Sequence, residues 1–296
     1  MKIVQSFWSK PALKSQDYNI SDRGKGGWPH RKYFYMSWAL SCLQLKEYYN
    51  NVELITDASG YDILINKLQL PYSSTMVVLD DLNDYHVDLW ALGKIYAYSL
   101  QVEPFIHADC DVFIWKKFPD RLEKARLLAQ NFESGFPHYE SIYEQLTSNF
   151  LNIPKVILDS QARNGKIFAV NAGILGGNDI NFIKAYALTS IAFVKQNYDR
   201  LSHINIGLFN IIFEQLLFHA MAESQNIEVE YFLQNVHPSY EGIAQFIDAP
   251  RKTSFIHALS TYKKAPMVCD SLEFTLHTMY PTYYYKIINL LHTLQI

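Results

Sequence analysis

Short apolar runs alternate with helix-length segments through the first half of this 296-residue chain, and that alternation limits what it can fold into. Met1–Trp8 reads as a first strand. From about His30 to Tyr49, Phe34, Trp38, Leu40, Leu45 and Tyr48 recur at roughly helical intervals, and Val52–Thr56 then forms a short strand ending at Asp57. Gly60–Leu68 reads as a second helix, Thr75–Leu79 as a strand closing on Asp80 and Asp81, and Asp88–Leu100 as a helix leading into the run Pro104–Trp115. Strands separated by helical crossovers pair in parallel, need cover on both faces and take ligands at their carboxyl ends. The expected fold class is therefore α/β, with a mostly parallel central sheet and helices on both faces.

Composition narrows the class further. With 49% hydrophobic residues the chain can bury a sizeable core, and a net charge of -3 without any long Lys/Arg run disfavours a nucleic-acid partner. No uninterrupted apolar stretch approaches the length of about 20 residues that a membrane span requires. The apolar amino terminus reaches Ser9, Lys10 and Pro11 too soon for a signal-peptide core. Cys42, Cys110 and Cys269 are odd in number and far apart, which fits neither a disulfide framework nor paired zinc ligands; reduced thiols in a cytoplasmic protein are expected. The 21 Tyr and 18 Phe are read mainly as core.

The run Pro104–Trp115 carries the chemistry. Asp109 and Asp111 stand one residue apart at the end of an apolar strand, where unpaired carboxylates are costly. A bend at Cys110 turns both toward one point, and oxygen ligands so arranged suit Mg²⁺ or Mn²⁺ carrying a diphosphate. Composition alone yields an Asp-x-Asp pair roughly once in a chain of this size, so the strand context is what gives it weight. His107, two residues earlier, reads as a core group rather than a ligand.

Farther along, Arg126–Glu133 resembles a strand with Glu133 at its end, and Lys166–Val170 another that feeds a glycine-containing loop from Asn171 through Gly173 to Asn178. Residues 135–165 have no clear period and are expected to form a lid or acceptor-side insertion. The loop Ser21–Pro29, with Gly24, Gly26 and Gly27, lacks the order of a P-loop or a dinucleotide fingerprint and is expected to act as a flap. Two amphipathic segments follow, about 180–198 and 206–224, the second carrying Glu214-Gln215 in apolar surroundings. Short strands at 228–233 and 254–257 precede an aromatic helical tail from about residue 270. Without a linker or repeat, residues 1–296 are expected to form a single domain.

This order of features resembles a GT-A glycosyltransferase, most of all the family 8, glycogenin-like and galactosyltransferase-like type, as far as about Pro266. In that family an Asp-x-Asp pair binds a divalent metal under a nucleotide-sugar diphosphate, matching Asp109 and Asp111. A late His-x-x-Gly-x-x-Lys-Pro-Trp run supplies a metal-binding His and a phosphate-gripping Lys. Here it stands as His257, Ser260 in place of Gly, and Lys263, without the Pro-Trp pair. The loop with Asn171 and Gly173 resembles the segment that contacts donor sugar or acceptor, and Glu214-Gln215 resembles the acidic-Gln pair of the following helix. Asp109, Asp111 and His257 are thus the expected ligands of Mn²⁺ or Mg²⁺, and Lys263 the charge facing a departing nucleoside diphosphate.

Lys94 is a candidate for reaching the same donor, and equally for a solvated or core-rim lysine. Trp8 and Asp57, after the first two strands, are candidates for stacking on the base and accepting from base or ribose, and equally for packing and capping. Glu133 and Glu214 are the candidate carboxylates: an inverting transfer needs a base for the acceptor, a retaining one needs an oxocarbenium-like species stabilised. Family 8 implies retention, a nucleotide sugar donor (UDP-linked) and a hexose passed to a hydroxyl of a glycan, lipid-linked glycan, protein or small molecule. Two rival functions remain open: a sugar nucleotidyltransferase, whose basic glycine loop would come earlier, and a non-catalytic binder of nucleotide sugar or carbohydrate on a GT-A scaffold.

Overall fold

Strands β1 (Lys2–Phe7), β2 (Val52–Thr56), β3 (Ser74–Val77), β4 (Phe105–Ala108), β5 (Val112–Ile114), β6 (Leu127–Ser134), β7 (Phe168–Gly177), β8 (Val229–Tyr231) and β9 (Phe255–His257) alternate with helices in a computed structural model. It describes residues 1–13, 25–234, 236, 240 and 243–296; residues 21–24 of the expected flap lie outside them. The chain groups into two compact units, one made of Met1–Asn83, Ala108–Phe118 and Val236–Ile296, the other of Asp84–His107 and Pro119–Asn235.

In the first unit β3, β2 and β1 lie side by side, all parallel, with Gln5 opposite Leu54 and Leu54 opposite Thr75. The helix Arg31–Tyr48 links β1 to β2. The His30 side chain caps it by accepting from Lys32 N–H, and its apolar residues pack Trp38 onto Phe7 with ring centroids 4.9 Å apart. Leu272, Leu276, Ile287 and Leu290 of the C-terminal helices Pro266–Met279 and Pro281–His292 complete this core. A second, two-stranded sheet pairs β5 with β9 antiparallel.

The second unit orders its strands β4, β7, β6, β8. β6 runs antiparallel to β7 and parallel to β8, with an irregularity between Ala129 and Asn131. Its helical layer is aromatic: Phe193, Phe209 and Phe213 are fully buried and meet edge to face, so much of the Tyr and Phe excess is core. The class is α/β with a mostly parallel central sheet, as the alternation predicts; β6–β7 and, in the small sheet, β5–β9 run antiparallel.

Four sequence expectations need correction. Asn171–Gly177 is not a loop but the continuation of β7: pairing with β6 holds it extended, and a Cβ on Gly176 would stand 2.2 Å from the Phe105 carbonyl oxygen, so glycine here serves close strand packing. Residues 135–165 are not unpatterned; they form the helices Pro137–Asn149 and Lys155–Asn164, whose narrow buried stripes (Tyr139, Ile142, Leu146 and Ile157, Ser160) give little periodic signal. The run 104–115 is two strands, interrupted at 109–111. The third strand ends at Val77, and Leu79–Leu82 is a 3₁₀ turn.

Candidate functional site

The first unit builds its site on the turn that leads into β5. The turn at 109–111 is held by the helix Arg31–Tyr48, whose Ser37 and Ser41, one turn apart on the buried face, donate to the carbonyls of Cys110 and Val112 at 2.7 Å each. Gln5 of β1, fully buried, donates to Ser41 Oγ at 2.9 Å and accepts from the Tyr72 hydroxyl at 2.8 Å. Buried polar groups are retained where each finds a partner, so this chain fixes the turn's backbone rather than leaving it to the loop. The signal for Ser37 and Ser41 was legible as two hydroxyls at i and i+4 in an apolar helix; for Gln5 it was a polar residue inside the first strand.

The β5–β9 pairing sets Val112 opposite His257, and the Ala258 amide donates to the Asp111 carbonyl at 3.0 Å. Asp111 and His257, 146 positions apart in numbering, thereby become neighbours: His257 Nε2 lies 3.4 Å from Asp111 Oδ1. Ligand atoms of Asp109, Asp111 and His257 all fall within 4.8 Å of one another. Asp111 Oδ1 is buried and takes no hydrogen bond among the described residues, and the group of two carboxylates and an imidazole could hold a metal ion. Lys263 Nζ stands 2.6 Å from Asp111 Oδ2. Burial by itself pushes the Asp111 carboxyl up, but the charge of Lys263, then that of His257, more than reverses this and holds it well below the usual range. Burial lowers Lys263 in turn, and Asp111 restores it to above its ordinary value.

Ser260 adopts φ +48°. The position therefore asks for left-handed backbone, which glycine enters freely and an L-residue enters at a cost. Ser260→Gly is expected to raise stability by up to about 1 kcal/mol, read by urea unfolding; an unchanged or lower midpoint would mean the serine side chain compensates.

Both oxygens of Asp57 are engaged: Oδ2 accepts from Ser9 N–H at 2.8 Å and Ser9 Oγ at 2.7 Å, and Oδ1 caps the next helix through Gly60 N–H at 2.7 Å. Trp8 is 5% exposed, and its indole N–H meets no acceptor among the described residues.

The second unit gathers the other sequence candidates into one polar row. Lys94, largely buried, pairs with Glu214 at 2.5 Å and donates to the Ala172 carbonyl at 3.1 Å. Glu214-Gln215 lies on a π-helical turn, Ile212–Leu216, a feature that recurs at functional sites. Tyr186 and Ser190 donate their hydroxyls to the Glu214 and Phe213 carbonyls, supporting that turn. Glu133 accepts from Asn171 Nδ2 at 2.9 Å and from the Tyr139 hydroxyl at 2.5 Å; Tyr139 also bonds Gln215, and the Gly173 amide donates to Asn171 Oδ1 at 3.0 Å. Tyr139 escaped sequence reasoning because it sits on a helix read as an insertion. His107 is buried edge-on to Tyr98, and burial lowers its pKa, in keeping with a core role.

Together these features define an α/β protein with an Asp-Asp-His group suited to a divalent ion and a buried carboxylate row. The chain belongs to a family of unknown function, DUF6734, whose model matches residues 1–290. No curated protein matches it. Among solved structures it is similar to the glycosyltransferase GlyE of Streptococcus pneumoniae TIGR4, at 9% identity and TM-score 0.45, covering 99% of this chain and 63% of that one. The chain thus spans less than two thirds of GlyE. It is also similar to the galactosyltransferase LgtC in complex with donor and acceptor sugar analogues (12% identity, TM-score 0.38, 72% and 70% covered) and to mouse xyloside xylosyltransferase 1 (11%, 0.41, 86% and 96%).

Proposed function

We propose that this protein is a metal-dependent glycosyltransferase of GT-A type that passes a hexose, with retention, from a nucleotide diphosphate sugar, UDP-linked, to an acceptor hydroxyl. One constellation carries it: Asp109, Asp111 and His257 converge within 4.8 Å, and Lys263 reaches Asp111 from six residues after His257. Asp109, Asp111 and His257 would hold Mn²⁺ or Mg²⁺, which when bound neutralises charge developing on the leaving diphosphate. Lys263 adds a point charge for the same phosphates. Glu133 and Glu214, in the second unit, are the carboxylates proposed for the sugar. Glu133 is oriented by Asn171 and Tyr139 and Glu214 by Lys94, while Gln215 and Gly173 complete the polar row. A carboxylate fixed by two donors is a rigid source of negative potential, which suits stabilising an oxocarbenium-like species better than removing a proton. Trp8 and the Asp57–Ser9 link are proposed for the nucleoside side of the donor. No helix among the described residues is long and apolar enough to cross a membrane, and Cys42, Cys110 and Cys269 are free; a cytoplasmic setting belongs to the same proposal.

Thermal unfolding against nucleoside diphosphates and their sugars, with and without Mn²⁺, tests it. One nucleotide should stabilise the protein only with metal, by about 2.7 kcal/mol at 100 times its Kd, and its sugar should be slowly hydrolysed without acceptor. Binding without any hydrolysis or transfer would favour the non-catalytic binder, and no shift with any nucleotide would sink both.

A further inference from the structure

The glycine turn at residues 26–28 touches the site. Lys263 Nζ donates to the Gly26 carbonyl at 2.8 Å as well as to Asp111 Oδ2 at 2.6 Å, and lies 5.9 Å from the centre of the fully buried Trp28 ring. Both glycines are required for this. Gly26 and Gly27 have φ +59° and +86°; a Cβ on Gly26 would stand 2.5 Å from the Phe34 ring, and one on Gly27 would press on Lys263 Cδ at 3.3 Å. Carbonyl, carboxylate and aromatic face surround one ammonium, whose side chain is 14% exposed.

An ion on the Asp109–Asp111–His257 group would draw on the same carboxylate as that ammonium. Asp111 gives Oδ2 to Lys263, while its other oxygen, Oδ1, belongs to the Asp109–Asp111–His257 group. An ion on that group would stand a few ångströms from the ammonium, in surroundings where like charges repel strongly. A diphosphate bound with the ion offers the lysine anionic oxygens in exchange for Asp111.

We infer that the Gly26–Trp28 turn is a resting seat for Lys263, and that Lys263 leaves Asp111 for the donor diphosphate, so that metal and donor bind cooperatively while metal alone is held weakly. This rests on the donor-site reading above and adds its regulation: the lysine proposed to grip phosphate also restrains the metal site until phosphate arrives. Differential contact of one group with two ligands is what allosteric linkage requires.

The test is Mn²⁺ affinity, followed by the paramagnetic resonance of free Mn²⁺, with and without UDP, for the wild type, Lys263→Met and Gly27→Ala. Without nucleotide, Lys263→Met should bind Mn²⁺ at least about tenfold more tightly than wild type while binding UDP more weakly, and the wild-type gain in Mn²⁺ affinity on adding UDP should shrink toward one. Gly27→Ala, which keeps the charge but crowds its seat, should show a smaller gain in Mn²⁺ affinity and serves if Lys263→Met fails to fold. A wild type that binds Mn²⁺ and UDP, with neither variant gaining Mn²⁺ affinity, overturns the seat and leaves the donor-site reading standing. A wild type that binds no nucleotide overturns that reading and the cooperative exchange with it; Mn²⁺ gained by the variants would then support only the rivalry at Asp111, and none gained would overturn that too.

Discussion

Asp111→Ala should lose Mn²⁺ affinity by at least about 100-fold and should also cost about 3–5 kcal/mol of stability at neutral pH. The two effects have separate causes. The first is loss of a ligand oxygen from the Asp109–Asp111–His257 group; the second is that Lys263 keeps its charge in a buried seat without the carboxylate that balanced it. The pH dependence follows from the shifts. Asp111 sits below its unfolded value, so its contribution is present above about pH 4 and fades as pH falls through the folded value. Lys263 sits above its unfolded value, so its contribution is present below about pH 10.4 and fades as pH rises through the folded value. The variant should therefore lose part of the acid limb of stability below pH 4 and part of the alkaline limb above pH 10. Urea unfolding across pH reads this directly; a variant with unchanged midpoints and unchanged Mn²⁺ binding would show that Asp111 is an ordinary turn residue.

Lys94→Met should destabilise the protein by about 3–5 kcal/mol, because Glu214 is fully buried and would keep a charge with its principal cation gone. The double change Lys94→Met with Glu214→Leu should recover most of that loss, since an apolar pair of similar volume avoids desolvating two ions. Denaturant unfolding of the two singles and the double isolates the pairing energy without reference to catalysis. If the double variant is stable but shows no hydrolysis of any nucleotide sugar that the wild type turns over, the pair is kept for chemistry at the expense of stability. If Lys94→Met alone is neutral, Glu214 is neutralised or solvated in a way the buried geometry does not suggest.

Legibility in the sequence tracked how local the physics was. β2 is predicted at Val52–Thr56 and found there, because a short β-branched and apolar run between polar turns needs no distant partner to declare itself. The helix found at 31–48 is expected from about His30 to Tyr49 on its apolar period alone. By contrast, Asn171–Gly177 carries loop residues by composition and becomes strand only through β6 and the close approach of Phe105. Tyr139 carries no chemical signature in sequence; it is defined by what it reaches, Glu133 and Gln215.

The sequence by itself determined the α/β alternation, the carboxylates at the end of the fourth strand and the six-residue spacing of His257 and Lys263, since period, strand ends and short spacings are properties of a local stretch of chain. The tertiary structure alone decided that β5 pairs with β9 and so brings His257 to Asp111, that Ser260 takes left-handed backbone, and that a glycine turn far upstream holds the Lys263 ammonium. Those outcomes depend on contacts between residues remote in the chain, where burial and desolvation set which charges meet, and no local pattern encodes them.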